Sequence, residues 1–159
     1  MTGGAVMVRP ATAADRDAIG ALYHRLSQHS LYMRYFSSAV DVDRAVDDLV
    51  RRADDGEVAL ALLDGAVVGV ASYIVLDDPT TAEFSLLVED SHQHHGIGHL
   101  LLDHLAANAR QRGVTRFLAE ILTENVPMLH LCAHCGLPET AVMDGPVVDV
   151  ALTLQYGDS

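Results

Sequence analysis

The sequence contains no lysine and no tryptophan, and positive charge is scarce. Its 10 basic residues are all arginines and stand against 22 aspartates and glutamates, so the formal net charge of the 159 residues is −12 with histidine neutral. An acidic surface of this kind repels phosphate backbones and anionic lipids over roughly a Debye length. The composition therefore argues against a nucleic-acid-binding protein and against a role at a membrane surface.

The sequence also lacks long apolar runs, the pattern of a secretory leader in residues 1–10, and the cysteines of a disulfide framework. No stretch approaches the ~18 consecutive apolar residues of a membrane-spanning helix, and residues 1–10 lack a basic flank followed by an apolar run. The two cysteines, Cys132 and Cys135, are too few for a disulfide-stabilised secreted protein. We therefore expect a single cytoplasmic domain over residues 1–159.

Hydrophobic periodicity predicts an α/β fold of the α+β kind, with strands and helices mixed along the chain. The elements are marked by apolar residues at helical spacing, by alternating apolar runs, and by turn signals such as Asp64-Gly65. The predicted order is strand, three helices, three strands, helix, strand, helix and two strands, over residues 5–9, 12–26, 27–36, 42–53, 58–63, 67–76, 82–88, 96–112, 116–121, 126–135, the region of 141, and 147–154.

The junction between the strand 82–88 and the helix 96–112 carries the sequence Gln93-His-His-Gly-Ile-Gly98. The first N–H groups of a helix have no acceptor within it and lie at the positive end of its dipole, so this junction is a candidate anion site. A Gly-x-Gly pattern alone is weak evidence, because a tight turn into a helix has the same sequence. The third glycine of a dinucleotide-binding fingerprint is also absent, since position 101 is Leu101.

A larger combination of features is more specific. The sequence has, in chain order, a strand meander with Glu83 on its last strand, then Leu86-Leu-Val88, Gln-x-x-Gly-x-Gly, a helix, a strand, and Asn125 at the start of the next helix. This combination resembles the GNAT superfamily of N-acetyltransferases. The resemblance covers residues 9–137 and is strongest over 82–137. It implies a mixed central sheet with a splayed pair of strands and flanking helices, and acetyl-CoA as cosubstrate without a metal.

Two short segments narrow the resemblance. Residues 26–36 and 125–128 are similar to the acetyltransferase domain of bacterial protein lysine acetyltransferases, which modify acyl-CoA synthetases and related enzymes. The resemblance implies that acetyl-CoA lies between the strand ending at Val88 and the strand starting near Arg116, and that the backbone of Leu87 and Val88 pairs with the pantetheine. The remaining implied cofactor-binding residues are Gln93, His94, His95, Gly96, Ile97, Gly98, His99 and Asn125.

Transfer to an amine requires a base, because a lysine side chain with its ordinary pKa of about 10.4 is almost wholly protonated at pH 7 and cannot attack a thioester. The resemblance implies that Glu83 accepts this proton, directly or through water, and that the amine attacks the thioester directly. The alternative is that Glu83 is a solvent-facing residue of an amphipathic strand.

The leaving thiolate raises a second question. Many members of the superfamily carry a tyrosine acid seven residues after the asparagine, and this position is Cys132 here. A thiol can donate a proton, so Cys132 is a candidate acid; the alternatives are a small apolar core residue and a leaving group that needs no acid. The histidines and cysteines around it do not have convincing metal-ligand spacing, and we expect no metal.

The predicted acceptor is an exposed lysine of a partner protein, and the first candidate is an acyl-CoA synthetase. The acidic surface would attract the cationic lysine. A chain without lysine also cannot acetylate its own side chains. Three alternatives stay open: a small amine such as a polyamine, amino acid or aminoglycoside; a non-catalytic acyl-CoA sensor; and a thiol redox or metal module built on Cys-Ala-His-Cys. The sequence does not decide between a monomer and a homodimer.

Overall fold

A computed structural model describes residues 5–93 and 96–154 of the chain. Over these residues, seven strands form one mixed sheet in the order β1-β2-β3-β4-β5-β7-β6, with five α-helices around it. The strands are β1 (Val6–Pro10), β2 (Gly56–Leu63), β3 (Ala66–Val75), β4 (Thr81–Val88), β5 (Arg116–Leu122), β6 (Glu139–Asp144) and β7 (Val147–Thr153). The helices are α1 (Arg16–Arg25), α2 (Gln28–Tyr35), α3 (Val42–Arg51), α4 (Ile97–Gln111) and α5 (Val126–Ala133).

The predicted order of elements and the mixed fold class are confirmed. The predicted hairpin turn between β2 and β3 is formed by Asp64 and Gly65, whose φ angles of 52° and 83° are both positive. A two-residue turn with positive φ at both positions matches the twist of the strands that it joins. Within the described residues, no helix is both long enough and apolar enough to span a bilayer.

The arrangement of β4 and β5 positions the site. Strands β1 to β4 are antiparallel neighbours, whereas β5 joins β4 in parallel over only three residue pairs, from Thr81 opposite Arg116 to Glu83 opposite Leu118. Beyond Glu83 the two strands separate, and β5 continues as the antiparallel partner of β7. One edge of β4 from residue 84 onward is therefore not hydrogen-bonded to β5, which is the splayed strand pair that the sequence predicted.

Hydrophobic cores lie on both faces of the sheet. On one face, Phe84 and Phe117 stack with ring centroids 5.1 Å apart and pack with the buried side of α4, including Leu101 and Leu105. On the other face, Leu87 packs with α1 to α3. Because successive residues of a strand point to opposite faces, this assigns even-numbered β4 side chains to the α4 face and odd-numbered ones to the α1–α3 face.

Helix α2 is held against the end of β4 by polar contacts. Ser27 caps the helix by accepting the N–H of Ser30 at 3.0 Å. The Ser30 hydroxyl in turn donates to the carboxylate of Asp90, two residues after β4, at 3.0 Å. The guanidinium of Arg25 pairs with Glu89 at 3.0 Å. These contacts hold the segment 27–36, which is part of the resemblance to protein lysine acetyltransferases, beside the end of β4.

Candidate active site

The N–H and C=O groups of successive residues in β4 point alternately toward the two edges of the strand. Two hydrogen bonds outside the ladder show which residues face the open edge. The carbonyl of Thr80 accepts the N–H of Thr115 at 2.8 Å and therefore points toward β5. The N–H of Glu89 donates to the carbonyl of Val68 at 2.7 Å and therefore points toward β3. Since N–H and C=O groups alternate along a strand, even-numbered residues of β4 direct theirs toward β5 and the gap.

This alternation changes one detail of the sequence prediction. The main-chain groups that face the gap belong to Leu86 and Val88, whereas those of Leu87 are directed at β3. The Val88 carbonyl also accepts Nε2 of Gln93 at 3.1 Å, so Gln93 closes the turn that follows β4. An extended ligand pairing with this edge would therefore use Leu86 and the Val88 N–H, while Leu87 contributes a side chain buried against α1–α3.

A cavity of about 720 Å³ opens at the split between β4 and β5 and reaches both faces of the sheet. Its walls include β4 from Glu83 to Val88, the end of α2, the start of α4 and the start of α5. The volume lies within the range typical of small-molecule and cofactor sites, about 300–1,000 Å³. The split therefore forms a continuous space between the α4 face and the α2 face.

The N-terminus of α4 forms one end of this cavity. Gly96 is the N-cap, with a φ of +79°, and its carbonyl accepts the N–H of Leu100 at 3.1 Å, which starts the helix. Gly98 approaches α5 closely, because a Cβ at this position would lie 3.2 Å from Cδ2 of Leu131. Both glycines and His99 line the cavity, as does Ile97, whose side chain is buried in the core. The predicted residues His94 and His95 lie outside the described residues.

Asn125 opens α5 on the opposite wall. Its side-chain oxygen accepts the N–H of Met128 at 3.3 Å and caps the helix, and Asn125 itself lines the cavity. Pro127 in the first turn suits a helix start because its missing N–H has no acceptor there. The cap explains why this sequence begins a helix here, and it uses only the oxygen of the side-chain amide.

Glu83 lies where β4 and β5 begin to separate. Its side chain is exposed, lines the cavity and, as an odd-numbered residue of β4, faces the side of α1–α3. No hydrogen bond or ion pair holds its carboxylate within the described residues, so both oxygens are free to accept a proton. The sequence left open whether Glu83 is a general base or a solvent-facing residue of an amphipathic strand; its position, which is exposed to solvent and also lines the cavity, is compatible with both.

The structure brings a second carboxylate to the same face. Glu120 on β5 lies two residues beyond Leu118, the partner of Glu83, and it also lines the cavity. Its neighbours Ala119 and Ile121 are buried on the α4 face, so Glu120 projects to the α1–α3 face together with Glu83. No sequence signal marked Glu120, because only the pairing register of β4 with β5 places the two carboxylates on one face of the sheet.

Cys132 lies in the core. Its side chain is fully buried with the α4-face cluster and is not among the residues that line the cavity. Burial raises the pKa of the thiol to about 12, with smaller contributions from Cys135 and Glu139. Cys135 donates its Sγ–H to the Cys132 carbonyl at 3.2 Å. These contacts fit the alternative of a small core residue.

The remaining histidines and cysteines do not assemble into a cation site in the part of the chain that the structure describes. No group of three or more histidine, cysteine, aspartate or glutamate side chains lies close enough there to hold a metal ion. His130 and His134, one turn apart on α5 and its end, stack with ring centroids 4.1 Å apart and line the cavity.

The far end of the cavity is lined by polar and aromatic residues from α2 and from the turn after α3. Tyr35 hydrogen-bonds through its hydroxyl to the hydroxyl of buried Tyr23 at 2.6 Å, and the guanidinium of Arg34 lies 4.5 Å above the Tyr35 ring. Phe36 ends α2 with a φ of 59°, and Arg52 follows α3. The sequence had marked the aromatic residues of this segment, but not Arg52.

Comparisons with known proteins agree with this architecture. A family model described as "Acetyltransferase (GNAT) family" matches residues 23–137. The chain is 26% identical over 140 residues to acetyltransferase PA5475 of Pseudomonas aeruginosa, covering 84% of this chain and 75% of that protein.

Two solved structures share the fold. The GNAT domain of PAT from S. lividans superposes with a TM-score of 0.84 at 27% identity, covering 94% of this chain and 91% of the other. The structure of yncA from Salmonella typhimurium, determined with acetyl-CoA, has a TM-score of 0.76 at 23% identity, with 98% of each chain covered.

Proposed function

This chain belongs to the GNAT family of acetyltransferases, and we propose that it transfers an acetyl group from acetyl-CoA to a lysine side chain of a partner protein, with Glu83 as the general base. The family match confirms the resemblance found in the sequence. The observation that carries the proposal is the cavity through the split between β4 and β5. It joins the N-terminus of α4 and Glu83 in one space.

The residues around the split fit acetyl-CoA, which supplies an acyl thioester when bound. Leu86 and Val88 offer main-chain groups to an extended pantetheine chain, as an added strand would use them. The first N–H groups of α4, which have no acceptor within the helix, suit the negative charge of a pyrophosphate, and Gly96 and Gly98 leave room for it. The structure of yncA with acetyl-CoA has the same fold and supports this ligand.

Glu83 supplies the proton acceptor. A lysine amine must lose a proton to become a nucleophile, and a carboxylate within reach, directly or through one water, can take it. The carboxylate of Glu83 is free of partners among the described residues, and Glu83 lies where β4 and β5 separate. A lysine entering from the α2 face would present its amine there.

We assign no protein acid to the leaving thiol. Cys132 is buried away from the cavity and its pKa is raised to about 12, which makes it an unsuitable proton donor at neutral pH. A free thiol has an ordinary pKa of about 8.5, so the thiolate of coenzyme A can leave without an acid and take its proton from water.

Two observations support a protein lysine as the acceptor. The segment 26–36, which is similar to bacterial protein lysine acetyltransferases, forms α2 and one wall of the cavity. The net charge of −12 attracts a cationic lysine on a partner and speeds encounter at low salt. The small-amine alternative uses the same cavity and the same base.

The base is tested with a matched pair of variants, Glu83→Gln and Glu120→Gln, because the two carboxylates share one face of the sheet. We expect Glu83→Gln to lower kcat by ~10² to 10⁴ while coenzyme A binding in calorimetry is retained. Activity of this variant should recover in part as rising pH supplies neutral amine. Loss of activity in Glu120→Gln alone would transfer the role of base to Glu120.

The acceptor is tested by kcat/KM at equal amine concentration. We expect a folded acyl-CoA synthetase to be acetylated faster than spermidine or an aminoglycoside. A small amine with a higher kcat/KM than every protein tested would refute the lysine acceptor and leave the chemistry in place. Tight acetyl-CoA binding with no transfer to any amine would refute the enzyme and support the sensor.

A further inference from the structure

Two arginines on the cavity wall are not used by the proposed chemistry. Arg34 lies in the last turn of α2 and Arg52 in the 3-10 turn after α3, and both are half-buried and line the cavity. Neither makes an ion pair with a carboxylate of the described residues. Several other arginines do pair with carboxylates at 3.0 Å or less: Arg9, Arg16, Arg25 and Arg51.

The position of Arg52 follows from the end of β3. The carbonyl of Asp55, three residues after Arg52, accepts the N–H of Val75 at 2.8 Å. The adjacent residue Ile74 lies opposite Glu83 in the ladder between β3 and β4. The turn that carries Arg52 therefore adjoins the part of the sheet that carries Glu83.

Arg34 approaches the same region from α2. It lines a small cleft together with Ser85 and Leu86, the residues of β4 that follow Glu83 closely. Burial raises the pKa of Tyr23, and the positive charges of Arg34 and Arg52 both oppose this effect, so both charges lie near the same tyrosine. The two positive charges therefore lie on one wall, on the face of the sheet opposite α4.

We infer that Arg34 and Arg52 bind a carboxylate of the amine substrate, next to the amine that faces Glu83. This inference rests on the proposed function and specifies its acceptor. A guanidinium binds such groups through paired, charge-assisted hydrogen bonds, and a half-buried guanidinium without a carboxylate partner among the described residues is available for them.

The location of the pair separates this group from the anionic part of acetyl-CoA. The N-terminus of α4, where the pyrophosphate is proposed to bind, lies on the other face of the sheet and beyond the opposite end of β4. An anion held by Arg34 and Arg52 therefore belongs to the acceptor. It is either an acidic side chain beside a lysine in a protein or the carboxylate of a free amino acid.

The test measures acetylation of two peptides that each contain one lysine, which is flanked by glutamate in one peptide and by glutamine in the other. It also compares free lysine with cadaverine, which is the same diamine without the carboxylate. Full-length wild type is measured beside Arg34→Gln and Arg52→Gln. Arg44→Gln is the matched control, because Arg44 is exposed on α3 and does not line the cavity.

We expect wild type to acetylate the glutamate-flanked peptide with a kcat/KM at least about fivefold above that of the glutamine-flanked peptide, mainly through KM. Arg34→Gln and Arg52→Gln should remove this preference, and Arg44→Gln should keep it. A preference confined to free lysine over cadaverine, and lost in the same two variants, identifies the free amino acid as the source of the carboxylate.

Transfer to both peptides and both small amines with no preference in wild type overturns the inference and leaves the proposed function intact. A preference that survives in both cavity variants, or that Arg44→Gln removes, overturns it as well. Weaker coenzyme A binding in Arg34→Gln and Arg52→Gln would assign these arginines to the cosubstrate instead. Absence of acetyl transfer to every amine, with acetyl-CoA bound, refutes the proposed function and this inference together.

Discussion

Substitution of Gly96 by alanine tests whether the start of α4 holds the anionic part of acetyl-CoA. Gly96 has a φ of +79°, and a Cβ there meets no atom within 4 Å, so alanine introduces backbone strain without a steric clash. The left-handed conformation destabilises a folded protein by about 1–2 kcal/mol when the residue is not glycine. Alanine also reduces the conformational entropy of the unfolded chain, which stabilises the folded state by about 0.4–1 kcal/mol. The net loss of about 1 kcal/mol predicts a Tm about 2–4 °C lower for a chain of this size.

The strain also affects binding. A free protein can relieve it by changing the conformation at residue 96, and coenzyme A binding must then restore the original turn. Strain that the free protein relieves no longer lowers the Tm and lowers the affinity instead, so full relief of about 1–2 kcal/mol would give an affinity about 5- to 30-fold lower with a Tm near that of wild type. We therefore expect Gly96→Ala to lose affinity for coenzyme A in calorimetry by the part of the strain that does not appear as a lower Tm.

Gly113, just beyond the other end of α4, is the matched control. Its φ is +87° and a Cβ there also meets nothing within 4 Å, so Gly113→Ala carries a comparable strain. It does not line the cavity. We expect a Tm about 2–4 °C below wild type and an unchanged affinity for coenzyme A. Equal affinities for the two variants, with a Tm of Gly96→Ala close to that of wild type, would refute the assignment of this helix start to the cosubstrate.

Two further predictions concern buried groups. Hydrogen bonds from Arg9 and from the backbone of Thr12 lower the pKa of Asp15, so Asp15→Asn should lower the free energy of unfolding in urea at pH 7 by about 1.5–3 kcal/mol. Because the folded-state pKa of Asp15 is depressed, the difference from wild type should shrink as the pH falls below about 4; a constant difference would contradict this. Cys132→Ala should lower the free energy of unfolding by about 1–2 kcal/mol and leave kcat unchanged. A kcat reduced by ~10² or more, with unchanged affinity for coenzyme A, would instead indicate that Cys132 donates a proton.

The candidate site could be predicted from the sequence where it depends on a local signal. Gln93 and the two glycines at 96 and 98 mark a strand-to-helix junction, and the structure has that junction at the mouth of the cavity. Asn125 precedes an apolar helix and caps it. In both cases, the relevant hydrogen bonds connect residues within a few positions of one another, so the sequence pattern contains the information.

Other parts of the site depend on the pairing of distant strands. Main-chain groups of Leu86 rather than Leu87 face the gap, because the antiparallel ladder with β3 sets which residues point away from it. Glu120 joins Glu83 on one face only through the three residue pairs between β4 and β5. Neither the ladder register nor the point where these two strands separate is encoded in a local pattern.

The sequence by itself determined the order of helices and strands, the family and the helix start that is the candidate anion site, since periodicity, turn residues and short motifs act over neighbouring residues. Only the tertiary structure decided which side chains surround the cavity beside Glu83. It buried Cys132 in the core, and it brought Arg34 and Arg52 to one wall although 18 positions separate them in the chain. Side chains that meet across a split sheet do so because of packing and strand register, and those are properties of the whole fold.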